Sequence, residues 1–189
     1  MGGPGRLRLF WALPVRDDLR AALASWQAEA RRALPEASWA RPEGFHLTLA
    51  FLGGRPPSEV EPILSAGRAV ASGQGPFTLR TAGMGAFPDL VRARVICLRV
   101  ESEACSILAR NLQEAMASFG ATLDRTFRPH ITLGRPRRPL PFPALPAPFP
   151  DLDFPADGLV LFESRTEPGG ARYTELGRAG FKDSRPPGP

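Results

Sequence analysis

Apolar residues recur along the chain with two spacings, one typical of strands and one typical of helices. Period-two alternation indicates strands, because successive strand side chains point to opposite faces. Apolar positions spaced three and four residues apart indicate helices. The predicted strands cover residues 6–13, 38–41, 45–53, 77–83, 91–100, 128–135, 158–164 and 171–179. The predicted helices cover residues 15–34, 58–71 and 103–119.

Charged and capping residues predict where the helices begin and end. Asp17 and Asp18 fall in the first turn of the first helix, where the helix dipole favours negative charge. Ser58 followed by Glu61 has the spacing of a capping box, which predicts that the second helix begins there. Gly120 predicts the end of the third helix.

The order of these elements predicts an α+β fold. We expect two pseudo-symmetric lobes, each an antiparallel β-sheet with helices on the outside, and an active-site cleft between the sheets. Residues 1–181 are assigned to this single bilobal domain, and residues 182–189 to a flexible tail. A turn is predicted at residues 84–88. The proline-dense residues 136–150 are expected to cross the surface in an extended conformation, with a recognition tract as the alternative.

The two histidines of the chain occur in the same four-residue pattern, HLTL at residues 46–49 and HITL at residues 130–133. In a strand, His46 and Thr48 share one face, as do His130 and Thr132. The intervening apolar residues are expected to face the core: Leu47, Leu49, Phe51, Ile131 and Leu133. Two such pairs facing each other would place two proton-transfer groups and two hydroxyl donors around an anion. A structural histidine on a strand is the alternative, and the repetition of the whole pattern favours catalysis.

Composition suggests a polyanionic partner and a reducing compartment. The formal net charge is +5 and the sequence pI is about 10.4; compositional bias toward arginine is an alternative cause. Cys97 and Cys105 lack metal-ligand spacing, so both are expected to be reduced in a cytoplasmic protein. The absence of a long apolar run predicts no membrane span. No metal-ligand cluster accompanies the histidines, so no metal or cofactor is expected.

The stretches around both histidines resemble those of a known enzyme family. The matching stretches are WARPEGFHLTLAFLG at 39–53, FRPHITLGR at 127–135, RLFWAL at 8–13, GAFP at 85–88, and ESR at 163–165 with Tyr173. They resemble the two-histidine phosphoesterase superfamily, and within it the RNA 2′,3′-cyclic phosphodiesterase family, also called 2′-5′ RNA ligases. The resemblance covers nearly the whole chain to about residue 180, and it independently implies the bilobal architecture.

This resemblance implies hydrolysis of an RNA 2′,3′-cyclic phosphate end to a 2′-phosphomonoester, with the ribose 3′ oxygen as the leaving group. We assign His46 as the proton donor and His130 as the proton acceptor, although the two motifs are symmetric and do not themselves distinguish the roles. Thr48 and Thr132 are expected to bind the phosphate oxygens. The reverse reaction would join a cyclic phosphate end to a 5′-hydroxyl through a 2′-5′ bond.

Further substrate contacts are expected from residues near the motifs. Arg135 is the best candidate for another phosphate contact, although strict alternation places it on the face of Ile131 unless a bulge at Gly134 redirects it. Arg8 and Arg165 are candidates for lining the cleft, with solvated surface arginines as the alternative. Phe10 and Tyr173 are candidates for stacking on a base, and a core role for Phe10 is the alternative.

Two other functional classes compete with the RNA-end phosphodiesterase. One is a phosphodiesterase for a small cyclic nucleotide or cyclic ADP-ribose phosphate, and the other is a non-catalytic RNA-binding module. Two intact histidine–threonine pairs favour an enzyme, and the net positive charge favours RNA. The expected partner is RNA with a 2′,3′-cyclic phosphate end, including tRNA fragments or nucleotides, and the expected state is a monomer.

Overall fold

The computed structural model describes residues 5–141, 148–168 and 170–182. The helices in this part of the chain are α1 (Asp17–Ala33), α2 (Val60–Ser72) and α3 (Glu103–Ala115). The strands are β1 (Leu7–Pro14), β2 (Ser38–Trp39), β3 (His46–Arg55), β4 (Phe77–Phe87), β5 (Val95–Glu101), β6 (His130–Arg135), β7 (Asp153–Ala156), β8 (Gly158–Glu167) and β9 (Gly170–Gly180). The three helices match those predicted to within a few residues.

The described strands form one sheet with antiparallel pairings and the order β7-β4-β5-β6-β3-β1-β8-β9, and β2 adds to β6. The α+β class is therefore confirmed. The two expected sheets are the two halves of this sheet, β7-β4-β5-β6 and β3-β1-β8-β9. They meet where β3 pairs with β6 through Leu47 and Ile131.

The helices cover the face of the sheet opposite the histidines. The first helix buries Leu19, Leu23 and Ala30, and burying each leucine stabilises the fold by about 1.5–3 kcal/mol. Two buried glutamines form hydrogen bonds between the helices and the strands β3 and β6, which carry the histidines. Gln27 of α1 donates its side-chain amide to the Leu133 carbonyl of β6 at 3.0 Å, and Gln113 of α3 donates to the Leu49 carbonyl of β3 at 2.8 Å.

The helix α2 packs against β9 and β1 with very little space between them. A Cβ atom at Gly67 would lie 2.1 Å from the Trp11 ring, so α2 approaches β1 closely only because this position has no side chain. Trp11 is fully buried as a result. Since Phe10 and Arg8 alternate with Trp11 along β1, this packing directs them to the histidine face of the sheet.

Two predicted local features differ in the structure, and one strand was missed. The turn expected at residues 84–88 is wrong, because β4 continues to Phe87. Gly83 adopts φ +70° beside a bulge between Thr81 and Met84, which lets the strand absorb an extra residue without leaving the sheet. The prediction of a capping box at Ser58 is also wrong. A 3-10 turn, Pro57–Glu59, precedes α2, and the helix has no side-chain cap. The strand β7 was not predicted.

The chain end and the proline-dense stretch are described only in part. Residues 142–147 of the predicted crossover and 183–189 of the predicted tail lie outside the described residues. Lys182 donates its backbone N–H to the Gln74 carbonyl at 2.8 Å, so the chain is held to the domain up to this residue. None of the helices in the described ranges has the length and apolar character needed to cross a membrane.

Candidate active site

The two histidine motifs lie side by side where the halves of the sheet meet. The antiparallel pairing of Leu47 with Ile131 sets the register, in which His46 lies across from Thr132, and Thr48 across from His130. Leu47 and Ile131 are buried under the helices, whereas the four polar residues are half-buried on the opposite face. Each imidazole therefore shares this face with the hydroxyl of its own motif and with that of the other.

His46 is held by a backbone carbonyl and by aromatic rings. Its Nδ1 lies 2.7 Å from the Gly44 carbonyl oxygen, so Nδ1–H donates there and Nε2 of the neutral ring keeps its lone pair. The rings of Phe10 and Tyr173 each lie 4.8 Å from the imidazole, centroid to centroid. Tyr173 occupies its position because Gly44 lacks a side chain; a Cβ there would lie 2.9 Å from the tyrosine ring.

His130 repeats this arrangement on the other half of the sheet. Its Nδ1 donates to the Arg128 carbonyl at 2.8 Å, again two residues earlier in the chain. One ring, that of Phe87, packs on the imidazole at 4.7 Å. Both histidines thus have the same tautomer, with Nε2 left free of these backbone hydrogen bonds.

Burial keeps both imidazoles neutral in the free protein. Desolvation lowers the pKa of His46 from 6.5 to about 4, against the opposing effect of the Gly44 hydrogen bond, and the nearby His130 lowers it further. Desolvation also lowers the pKa of His130; the charge of Arg135 adds to this effect, and the Arg128 hydrogen bond and Asp124 oppose it. At neutral pH, both histidines can therefore accept a proton.

A bulge places Phe51 on the histidine face. The prediction that Phe51 faces the core is wrong, since 63% of the residue is exposed. The pairing of β1 with β3 passes from Ala12–Thr48 to Trp11–Ala50, so Leu49 is an extra residue that shifts the alternation beyond it. Phe51 contacts Phe10 at 5.8 Å and extends the aromatic surface away from His46.

A second bulge precedes Arg135. The pairing of β5 with β6 passes from Cys97–Thr132 to Ile96–Gly134, so Leu133 is the extra residue, one position before the glycine considered from the sequence. Arg135 is exposed at the end of β6. Burial is the main influence on the pKa of His130 and of Tyr173, and the nearby positive charge of Arg135 favours the uncharged imidazole and the ionised phenol.

The other candidate residues divide between the two faces of the sheet. Phe10, Tyr173 and Arg8 belong to the histidine face, and Arg8 and Arg135 both act on the Tyr173 hydroxyl, whose pKa is raised overall by burial. Phe10 is 2% exposed and lies under the neighbouring rings. Arg165 is not brought to this cluster, because its guanidinium pairs with the buried Glu163 at 2.8 Å.

Sequence reasoning missed three residues that contact the site. Phe162 lies 5.5 Å from Phe10 and 6.0 Å from His46, ring to ring, and its place in a predicted strand was the available signal. Phe87 was noted as part of a turn and of the GAFP stretch, without a contact to His130. Gly44 stands in the WARPEGFHLTLAFLG stretch, but its role could not be read there because it depends on Tyr173, which lies far away in the sequence.

The described residues contain no group of three or more His, Cys, Asp or Glu side chains placed to hold a metal ion. Cys97 and Cys105 are buried free thiols, and desolvation raises the pKa of each to about 12. Both thiols are therefore protonated at neutral pH and are poor nucleophiles or metal ligands.

Comparison with known proteins agrees with this geometry. The RNA 2′,3′-cyclic phosphodiesterase of Thermus thermophilus is 34% identical over 179 residues, which are 90% of this chain and 88% of the relative. The enzyme of the same name from Geobacillus stearothermophilus is 38% identical over 132 residues, which are 69% of this chain and 42% of that longer relative.

A solved structure and a family model extend the comparison to the whole fold. A crystal structure of a Thermus thermophilus protein has a TM-score of 0.81 and 33% identity, covering 94% of this chain and 100% of the other. The LigT-like phosphoesterase model matches residues 13–97 and 100–173. The resemblance noted from the motifs is thereby confirmed: this chain belongs to the LigT-like phosphoesterase family.

Proposed function

We propose that this protein hydrolyses the 2′,3′-cyclic phosphate at an RNA end to a 2′-phosphomonoester by metal-free acid–base catalysis. The observation that carries the proposal is the matched pair of imidazoles, each anchored through Nδ1 to a carbonyl and each with an available Nε2. Two such groups satisfy a reaction that needs one proton acceptor and one proton donor. The relatives named RNA 2′,3′-cyclic phosphodiesterase support the choice of substrate.

In the proposed reaction, His130 Nε2 takes a proton from water as the water oxygen attacks phosphorus. The bond from phosphorus to the ribose 3′ oxygen breaks, and protonated His46 supplies a proton to that oxygen. The products are a 2′-phosphomonoester and a 3′-hydroxyl. His46 can carry this proton only if the bound phosphate raises its pKa, because the pKa is about 4 in the free protein.

Thr48 and Thr132 are proposed to donate their hydroxyl hydrogens to the non-bridging phosphate oxygens. Arg135 is proposed to neutralise the same phosphate, since its charge already influences His130 and Tyr173. The exposed Phe51 and the half-buried Tyr173 offer ring surfaces for the terminal nucleoside. We do not include Arg165, because its charge is paired with Glu163.

The same machinery would act as a 2′-5′ RNA ligase if the 5′-hydroxyl of a second RNA replaced water. His130 would then take the proton from that hydroxyl, and His46 would again protonate the 3′ oxygen. Water at its normal concentration favours hydrolysis, so ligation is proposed only as a side activity. We further propose that the protein acts as a monomer in the cytoplasm, a compartment consistent with its two free cysteines.

The proposal is tested with a short RNA that ends in a 2′,3′-cyclic phosphate, incubated with the protein and excess chelator. Turnover to an end with a 2′-phosphate is expected, and product mapping by mass spectrometry and phosphatase sensitivity would identify it. A 3′-phosphate product would contradict the assigned leaving group. Activity that the chelator abolishes and added metal restores would contradict the metal-free mechanism.

A further inference from the structure

A cavity of about 250 Å³ lies beside His130 on the half of the sheet formed by β4, β5 and β6. We call it the Arg99 pocket and define it by five of its lining residues: Phe87, Arg99, Glu101, Phe127 and Arg128. The reaction proposed above does not use it. Its volume is close to the lower end of small-molecule sites, roughly 300 Å³, so it can hold about one nucleotide unit.

The Arg99 pocket is continuous with the surroundings of His130. The Phe87 ring packs on the imidazole at 4.7 Å, and Arg99 is the Cα partner of His130 between β5 and β6. Arg128 supplies the carbonyl that accepts the Nδ1–H of His130. A ligand in the pocket would therefore lie next to the scissile phosphate.

The charge in the pocket is predominantly positive. Within the described ranges, neither Arg99 nor Arg128 has an ion pair or a side-chain hydrogen bond. Glu101 contributes one carboxylate to the lining, so the two arginines outnumber the acidic groups that line the pocket. Two guanidinium groups are thus available for an anionic ligand.

Gly85 of β4 creates the space for the stem of Arg99, and Gly83 lies close to its guanidinium. A Cβ atom at Gly85 would lie 2.8 Å from both Cγ and Cδ of Arg99, and one at Gly83 would lie 3.8 Å from its Nη2. The side chain of Arg99 consequently lies along the backbone of β4. The strand thus restricts the aliphatic stem of Arg99 before any ligand binds, which lowers part of the entropy cost of binding, and its exposed guanidinium stays available.

The chemistry of the lining fits one further nucleotide of RNA. A planar guanidinium matches the oxygens of a phosphodiester, and aromatic rings such as Phe87 and Phe127 can pack against a base. The rings around His46 are on the other half of the sheet and form a separate surface. The two surfaces lie on opposite sides of the histidine pair.

We propose that the Arg99 pocket binds the nucleotide preceding the cyclic end, with Arg99 and Arg128 on the internucleotide phosphate. The terminal nucleoside then lies against the rings near His46, and the cyclic phosphate lies between the histidines. This inference rests on the proposed function and makes it more specific. The protein selects RNA ends over cyclic mononucleotides because only an RNA end carries the additional phosphate.

The test compares kcat/KM for adenosine 2′,3′-cyclic phosphate with kcat/KM for an adenine dinucleotide that ends in the same group. The ratio of the dinucleotide value to the mononucleotide value is expected to be about ten or more in the native protein. Arg99→Gln should lower this ratio about tenfold through the lost charged hydrogen bond. Arg110→Gln, an exposed arginine on α3, is the matched control and should preserve the ratio.

Gly85→Ala is a second variant, which keeps the positive charge but displaces the Arg99 side chain. It should also lower the ratio of the dinucleotide kcat/KM to the mononucleotide kcat/KM. Thermal unfolding of each variant checks that the fold persists. A native ratio near one, or an equal loss for both substrates in Arg99→Gln, would overturn the pocket assignment while leaving the cyclic phosphodiesterase intact. Absence of turnover for both substrates in the native protein would overturn the proposed function, and this inference with it.

Discussion

The surroundings of His46 and His130 differ although their motifs and backbone hydrogen bonds match. His46 lies among the rings of Phe10, Phe162 and Tyr173, and its pKa falls to about 4. Within the described part of the chain, His130 contacts only one aromatic ring, that of Phe87, and it adjoins the Arg99 pocket. The repeat therefore gives two imidazoles with matching backbone contacts, and the rest of the sheet gives them different surroundings.

This difference shows which part of the site is fixed locally and which part depends on distant residues. Each imidazole is oriented by a carbonyl only two residues away, so the tautomer is a property of the motif. The rings around each imidazole come from strands far along the chain, whereas the charges that act on His130 belong to the nearby Arg135 and Asp124. Asymmetric chemistry can thus be built on a symmetric pair without changing the pair itself.

The largest expected effect comes from removing either Nε2. His46→Asn and His130→Asn keep an amide donor for the Gly44 or Arg128 carbonyl and lose the proton carrier. Each should lower kcat about 1,000-fold on the cyclic-ended RNA, within the usual range for general acid–base catalysis. Steady-state kinetics measure the loss, and circular dichroism checks the fold. A variant that retained near-native kcat would rule out its histidine as a proton carrier.

A sulfur substitution sharpens the assignment of the two roles. In a substrate whose bridging 3′ oxygen is replaced by sulfur, the leaving thiolate needs little protonation, because thiols have a pKa of about 8.5. His46→Asn should regain about 100-fold of its lost activity on this substrate, whereas His130→Asn should remain slow. Rates are compared with those on the oxygen substrate. Recovery in His130→Asn alone would reverse the assignment.

Thr48→Val and Thr132→Val test whether the two threonine hydroxyls, proposed as hydrogen-bond donors to the phosphate, contribute equally. Valine keeps the branched shape and the strand preference of threonine, so the main loss is the hydroxyl. Each variant should lower kcat/KM about 10- to 100-fold if its hydroxyl stabilises charge in the transition state. Native-like kinetics for either one would remove that threonine from the phosphate site.

The last expected effect is on stability in acid, not on catalysis. The pKa of His46 is about 4 in the folded protein and about 6.5 when unfolded, so the unfolded chain binds more protons between these values. The free energy of unfolding should therefore fall as pH drops from 6.5 to 4, by roughly 3 kcal/mol from this group. Urea unfolding should show a smaller fall in His46→Asn, and equal falls would contradict the low pKa.

The sequence predicted the features that depend on local spacing. The alternation of apolar and polar residues located the strands that carry His46 and His130, and apolar residues spaced three and four apart located the helices. The repeated four-residue pattern marked the two histidines as the candidate catalytic pair. The prediction for Phe51 was wrong, because the bulge at Leu49 exists only in the pairing of β3 with β1. The direction of Arg135 similarly depends on how β6 pairs with β5.

Contacts between distant strands set the remaining limits on prediction. Glu163 and Arg165 are neighbours along one strand, but the sequence does not indicate that Glu163 is buried and pairs with the Arg165 guanidinium. The Arg99 pocket needs β4, β5 and β6 in one register, with glycines of one strand beneath an arginine of the next. Such neighbours become known only when the strand order is known.

The use of carbonyls as histidine partners has a consequence for the calorimetry of substrate binding. Burial lowers the pKa of both imidazoles, and a carbonyl partner opposes this without the full negative charge of a carboxylate, so both imidazoles of the free site are uncharged at neutral pH. The proposed reaction requires one of them to be protonated. Formation of the productive complex must therefore take up a proton from the buffer, and the measured binding heat should change with the ionisation enthalpy of that buffer.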